Sequence, residues 1–248
     1  MTELVHLDTA DGTATITLDS PHNRNALSRQ LVADLFDRLD RAAEDDAARV
    51  VVIRSADRVF CSGADLSEAA RGGMEEGTRA LVELQRRILA HPKPVVTRIA
   101  GPVRAGGLGI VAASDIALCA EEVTFALTEV RLALAPAVIS LSLLPRLTSR
   151  AASDSFLTGR TFDAREAAAM GIVTRAVPQD RLDEEVARVC ADLAQGHPQG
   201  LRETKALLAR EPLAFLDAHA EEMAAISARL FGSEGAREAM TAFLNRKR

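Results

Sequence analysis

Residues 104–115, Arg-Ala-Gly-Gly-Leu-Gly-Ile-Val-Ala-Ala-Ser-Asp (RAGGLGIVAASD), follow closely on the apolar run Pro94-Val95-Val96-Thr97-Arg98-Ile99-Ala100. A continuous β-branched run predicts a strand buried on both faces, the glycines predict a turn, and the small apolar residues after them predict a helix opening near Ala105. Gly107, Gly109 and Ala112 also match G-x-G-x-x-A, the turn in which backbone N–H groups hold a dinucleotide pyrophosphate. The context weighs against that reading. The fingerprint belongs at the first strand-to-helix turn, whereas two or more structural units precede this one. An acid about 20 residues on could be Glu121, Glu122 or Glu129, which discriminates little. A tight turn that lets the helix pack closely on the sheet is the plain alternative.

The same order recurs on both sides of this turn. Upstream, residues 4–7 and 13–18 read as a hairpin turning at Asp11-Gly12, and Ser28 as the N-cap of an amphipathic helix carrying Leu31, Leu35 and Leu39. Residues 49–54 form a second β-branched run, after which Phe60-Cys61-Ser62-Gly63-Ala64-Asp65-Leu66 turns into another helix, and a further helix covers about 77–90. Downstream, strands are predicted at 115–119 and 123–126. From about Arg181 the strand signal stops, and helices are predicted at 181–195, 199–210, 213–230 and 234–246. Recurring strand, turn and helix predict an α/β architecture of repeated units. Leu213, Leu216, Met223, Ile226, Leu230 and Phe231 make an apolar stripe that either packs on the chain's own core or meets another subunit.

Composition narrows the partners. The chain of 248 residues is 48% hydrophobic and 26% charged with net charge −5, which predicts a soluble globular protein without the basic face that nucleic acid requires. The terminal Arg246-Lys247-Arg248 is its one basic run. Cys61, Cys119 and Cys190 lack the spacing of a disulfide framework or zinc site, which suggests a cytoplasmic setting, and none of the five histidines joins a metal or triad constellation. The first residues lack a secretory pattern, and no apolar run reaches the length of about 18 residues that would span a membrane.

Two turns of related chemistry, at 60–66 and 104–109, each leave a buried strand through small residues and open a helix. Their unpaired N–H groups could converge on one oxygen, which is the principle of an oxyanion hole. The Ser62-Gly63-Ala64-Asp65 run also reads as an ordinary capping box.

SPHNRNAL at 20–27, FCSGADL at 60–66, IAGPVRAGGLGIVAASDIA at 99–117 and FALTEVRLALAP at 125–136 together resemble the enoyl-CoA hydratase/isomerase (crotonase) family. FLTGRTFDAREAAAMGIVTRAV at 156–177 and the terminal AFLNRKR extend the resemblance over nearly the whole chain. It implies a spiral of ββα units over 1–190 that binds an acyl-CoA, and a helical region, 191–248, that builds a homotrimer or a hexamer made of two trimers. No cofactor is implied, since coenzyme A enters as part of the substrate. The resemblance places the oxyanion donors at the N–H groups of Ala64 and Gly106 and a catalytic acid at Glu129. It sets adenine and the CoA arm against the backbone of Arg24 to Ala26 and of Cys61, Ser62, Gly63, Ala64, Asp65 and Leu66, with Arg24 a possible phosphate ligand and Gly107 and Gly109 further substrate-binding positions. For Glu129 the plainer reading is a surface glutamate paired with Arg131.

One position departs from the family. In two-glutamate hydratases a second acid stands three residues after the second oxyanion donor, and here that residue is Gly109. The segment 133–140, ALAPAVIS, also lacks the glycine-rich continuation common after the proline. Hydration of a 2-enoyl-CoA is the first expectation, with Glu129 acting alone or helped by Asp65 or Glu68. Glycine at 109 with PAVIS at 136–140 resembles a branch acting on branched or carboxylated substrates of the methylglutaconyl-CoA type. Moving a double bond from the 3- to the 2-position needs only one base and is the alternative, followed by a CoA-binding scaffold without activity. The pocket wall is expected around 67–90 and 133–145.

Overall fold

The computed structural model describes residues 3–69 and 74–245; the terminal basic run and residues 70–73 of the expected pocket wall lie outside them. The chain begins with the hairpin β1 (Val5–Ala10) and β2 (Thr13–Leu18). Asp11 and Gly12 both take positive φ, 47° and 77°, as a two-residue turn matched to strand twist demands. Helix α1 (Arg29–Glu44) starts where Ser28 Oγ accepts the Leu31 N–H at 3.3 Å, and β3 (Val50–Ser55) follows it. Then come α2 (Leu66–Ala69), α3 (Met74–Ala90), β4 (Val95–Ile99), β5 (Val103–Arg104), α4 (Gly107–Ala113), β6 (Ile116–Ala120) and β7 (Thr124–Ala126). The chain continues through α5 (Ala137–Leu143), α6 (Ser149–Thr158), β8 (Thr161–Asp163), α7 (Ala164–Met170), β9 (Arg175–Val177), α8 (Leu182–Ala194), α9 (Pro198–Phe231) and α10 (Glu234–Asn245).

The strands form two sheets, β1-β2-β3-β4-β6-β9 and β5-β7-β8. In the larger sheet β2, β3, β4, β6 and β9 are parallel, so each connection must cross over rather than turn back. The crossovers pass through the smaller sheet. β4 is followed by β5 and α4, and β6 by β7 and α5; β3 leads to an isolated bridge between Cys61 and Val103 before α2. This alternation is the expected ββα spiral. Side chains such as Phe60, Ile16, Ile53 and Ile99 are buried in its core, and Phe125 stacks on Phe162 at 5.8 Å between β7 and β8. Among the described residues no helix is long and apolar enough to cross a membrane.

Two expectations change. The helices predicted at 199–210 and 213–230 are one helix, α9, which runs through Pro212. Proline cannot donate to the carbonyl four residues back, but that residue, Leu208, is 70% exposed, so water can serve its carbonyl. The apolar stripe is spent largely on the chain itself. Leu213, Leu216 and Met223 pack on the main core, while Leu230 and Phe231 pack with Leu134, Ala236 and Met240 in a second cluster. The buried Lys205 fastens α9 to the spiral: its Nζ donates to the carbonyls of Ile88 and Lys93 and to Asp115 Oδ2, at 3.0, 3.1 and 2.7 Å.

Candidate active site

The site begins with the loop before α1. Arg24 and Asn25 take positive φ, 59° and 53°. The buried Asn25 accepts the Ser20 N–H at 2.7 Å and donates to the carbonyls of Val59 and Phe60 at 3.0 and 3.2 Å. Pinned this way, the loop lies along the strand exit: the Ser62 N–H donates to the Arg24 carbonyl at 3.1 Å and the Leu27 N–H to the Gly63 carbonyl at 2.8 Å. A third segment closes from the other side, where the Arg104 N–H donates to the Cys61 carbonyl at 2.9 Å.

These contacts bring the two glycine-rich turns together. Gly63 has φ 92°, and a Cβ on it would stand 2.8 Å from Ala105 Cβ and 3.3 Å from the Gly106 nitrogen. A Cβ on Gly106 would lie 3.7 Å from the Ala64 nitrogen. The Ala64 and Gly106 N–H groups donate to no acceptor among the described residues. Ala105, between the turn and Gly106, is held at φ 47° with its N–H on the Ala126 carbonyl at 3.0 Å. Apart from Asp11 in the hairpin, each non-glycine residue with positive φ lines the cavity described next or adjoins one that does. Such strain persists only where the surroundings enforce it, and it gathers at functional sites.

A cavity of about 930 Å³ opens beside these amides. Glu129 enters it from the short 3-10 turn Glu129–Leu132, which ends at Ala133 with φ 55°. The residue is half-buried as a whole, yet its Oε2 is shut off from solvent and has no hydrogen-bond partner. Burial pushes its pKa up to about 7, only partly offset by a bond to its own backbone. Among the described residues, Glu129 Oε2 pairs with neither Arg131 nor any other group.

Of the expected positions, Arg24, Ala26, Ser62, Ala64, Asp65, Leu66, Gly106 and Glu129 line this cavity, while Cys61, Gly63, Gly107 and Gly109 lie behind its wall. Cys61 is buried under Gly107, whose added Cβ would come within 2.8 Å of Cys61 Cβ, and burial raises the thiol to about 12. Gly107 and Gly109 therefore face packed protein, not a pyrophosphate. Beneath Gly109, an added Cβ would meet Ile139 Cγ2 at 3.1 Å and Gln85 Cδ at 3.2 Å. Gln85 is itself fixed: its Nε2 donates to the carbonyls of Leu81 and Val138, and Ser142 Oγ donates to its Oε1 at 2.6 Å.

The carboxylates of Asp65 and Glu68 both hold hydrogen-bond donors. Asp65 Oδ1 accepts the N–H groups of Ser67 and Glu68 at 2.8 and 3.2 Å, its Oδ2 accepts Asn23 Nδ2 at 3.1 Å, and Glu68 Oε2 accepts the Arg29 N–H at 3.1 Å. The cap of α2 is thus Asp65 itself, and Ser62 Oγ donates to the Asn23 carbonyl instead of forming a capping box. The sequence does not mark the anchoring roles of the Asn25, Gln85 and Ser142 side chains, nor that α9 and α10 bring Ser227, Phe231 and Phe243 to the cavity. The alternation of apolar and polar residues in those helices marks a face to be buried but not what covers it.

The comparisons agree with this geometry. The family model described as enoyl-CoA hydratase/isomerase matches residues 8–248. The crystal structure of an enoyl-CoA hydratase from Mycobacterium avium superposes with a TM-score of 0.91 at 44% identity, covering 99% of this chain and 98% of that one. A Thermus thermophilus chain is 36% identical over 205 residues, 80% of this chain and 81% of that one. The hydroxycinnamoyl-CoA hydratase-lyase of Pseudomonas fluorescens is 31% identical over 211 residues, 81% of this chain and 76% of that protein. Similarity that runs through the spiral, both glycine-rich turns and the C-terminal helices leaves one assignment: the chain belongs to the enoyl-CoA hydratase/isomerase family.

Proposed function

We propose that the protein hydrates the 2,3 double bond of an enoyl-CoA thioester, with Glu129 as its sole proton carrier. The observation that carries this reading is the unpartnered, buried Glu129 Oε2 in the same cavity as two unpaired amides. The thioester oxygen rests on the N–H groups of Ala64 and Gly106. Ionised Glu129 takes a proton from water as the water oxygen bonds to C3, and the π electrons become an enolate whose charge sits on the thioester oxygen. C2 then takes the same proton back from Glu129, restoring the carboxylate. An acid with pKa about 7 populates both forms near neutrality, as a group that both takes and returns a proton requires. Each amide donor contributes about 10² to 10³ in rate when it meets charge that develops during reaction.

Coenzyme A is part of the substrate in this reading and no cofactor takes part. The CoA arm lies along Arg24 to Ala26 and Cys61 to Leu66. The active form is a trimer or a dimer of trimers in the cytoplasm, which sedimentation checks.

Isomerisation of a 3-enoyl to a 2-enoyl thioester is the second reading, and Gly109 favours it. The space beside that residue is filled by Gln85 and Ile139, so no second carboxylate stands there. Absorbance of the conjugated thioester separates the two. Loss of signal from 2-enoyl-CoA supports hydration, and gain from 3-enoyl-CoA supports isomerisation. Neither signal, at high protein concentration and across acyl lengths, would overturn both and leave a CoA-binding scaffold.

A further inference from the structure

The lining of the large cavity divides by segment. The loop before α1 and the strand exit bring His22, Asn23, Arg24, Ser62, Asp65 and Ser67 to it. From Leu132 onward Ser227 is the single polar side chain among the described lining residues, and the wall is otherwise hydrocarbon, running from Leu132 and Leu134 through Val138 to Phe231 and Phe243. The arginines of the lining keep to this division. Arg24 belongs to the polar end. The guanidinium of Arg104 donates to the carbonyls of Val103 and Thr124 and to the Thr124 hydroxyl. Arg131 Nε lies 3.3 Å from the point that a Cβ on Gly159 would occupy, beside the C-terminal cap of α6 and away from the α10 wall.

An acyl chain whose thioester oxygen rests on the Ala64 and Gly106 amides has one apolar way onward. Beneath Gly109 the space is filled by Ile139 and Gln85. Past the Glu129 turn the cavity continues to α10, which lies against the stretch that follows the turn. Ala236 and Met240 are buried in one cluster with Leu134 and Ala69, and a Cβ on Gly235 would stand 3.5 Å from Ala133 Cβ. One turn on from Ala236, the half-buried Ala239 lines the cavity, with Ala242 a further turn along the same face. A helix position that faces an apolar space with only a methyl group leaves room that a larger side chain would take.

Resting on the acyl-CoA reading above, we infer that the cavity takes a hydrocarbon acyl tail running past Glu129 to α10, and that Ala239 is a specificity-determining residue that sets how long a tail the site accepts. The protein therefore prefers thioesters with extended, unsubstituted tails over the shortest ones. Each methylene removed from water strengthens binding by about fourfold, and the gain stops where the tail meets α10.

The test compares the full chain with Ala239→Leu and with Glu238→Leu, a control at an exposed position of α10 outside the cavity lining. Circular dichroism and melting temperature establish that each folds. Calorimetry measures binding of saturated acyl-CoAs of increasing tail length, and kcat/KM is measured on the 2-enoyl counterparts. In the unaltered chain and in Glu238→Leu, affinity should rise by up to about fourfold per methylene and then level off. In Ala239→Leu it should level off about two methylenes sooner, so that the longest tails lose roughly tenfold relative to the shortest, expressed mainly in KM. Ala239→Val, a smaller addition, applies the same comparison should Ala239→Leu fail to fold. Affinity independent of length in the unaltered chain, a loss in the Ala239 variants that is equal at every length, or tighter binding of a tail ending in a carboxylate than of its hydrocarbon equal would each overturn the inference. The expected length dependence without turnover would sink only the proposed reaction. No binding of any acyl-CoA would sink both.

Discussion

Gly109 rests on Ile139: a Cβ at position 109 would stand 3.1 Å from Ile139 Cγ2, with the Gln85 amide on its other side at 3.2 Å. The place where a second acid could stand is thus packed protein. Gly109→Glu should not create a two-acid enzyme. It should destabilise the fold by about 1–3 kcal/mol through overpacking. Adding Ile139→Ala should return part of that loss, so urea unfolding of the two single variants and the double variant would show a coupling of about 0.5 kcal/mol or more. Strict additivity would mean that Ile139 is not the obstacle.

Glu129 carries a pH dependence whose sign follows from its burial. The folded chain holds this proton up to about pH 7, whereas the ordinary value is 4.5, so between those values the folded state binds the extra proton. Stability contributed by the neutral carboxyl is present below 4.5, falls as pH rises through 7 and is lost above it. Glu129→Gln removes the ionisation. It should be more stable than the parent by up to about 3 kcal/mol at pH 8 and nearly equal at pH 5, while kcat falls by at least about 10². Denaturant midpoints at the two pH values check the first part, and a variant with full activity would rule out the assigned role.

Gly63 matters through its neighbours, since it does not line the cavity. Ala in its place would be strained at φ 92° and would drive a methyl into Ala105, beside the Gly106 amide. Gly63→Ala should lower kcat by about 10² by separating the two donors, with a smaller change in KM. A rise in KM alone would show that the turn only binds substrate.

Asn25 has three partners, the Ser20 N–H and the carbonyls of Val59 and Phe60. Asn25→Ala should cost about 3 kcal/mol by leaving them unpaired in the interior. Asn25→Asp should also destabilise, because it keeps the acceptor but turns a carboxylate oxygen toward two carbonyls. Melting temperatures of both variants test this, and a parent-like value for Asn25→Asp would show that the loop is held elsewhere.

Much of the fold is legible from local pattern. The β-branched runs at 50–55 and 95–99, the Asp11-Gly12 turn and the Ser28 cap depend on neighbours a few residues away, and the structure repeats them within one or two residues. Three of the shortest strands, two in the second sheet and one at the edge of the first, are harder to see. β5, β8 and β9 have only two or three residues each, too few for periodicity to register, and they exist because partners from distant segments complete them. The break expected near Pro212 failed because exposure, which a local pattern does not report, lets water stand in for the lost bond.

The site divides in the same way. Glu129 and the glycine-rich turns around Ala64 and Gly106 are identified by residue type in an ordered set of motifs, because backbone approach needs small residues and proton transfer needs an acid. That Asp65 reaches Asn23, that Glu68 holds the Arg29 N–H, and that Gly109 is backed by Gln85 and Ile139 follow only from contacts between residues 24 to 42 positions apart, and the far wall of the cavity follows only from the docking of α9 and α10. A hydrogen bond or a filled volume is a property of pairs brought together by folding, and the chain's local order carries the residue types but not their partners.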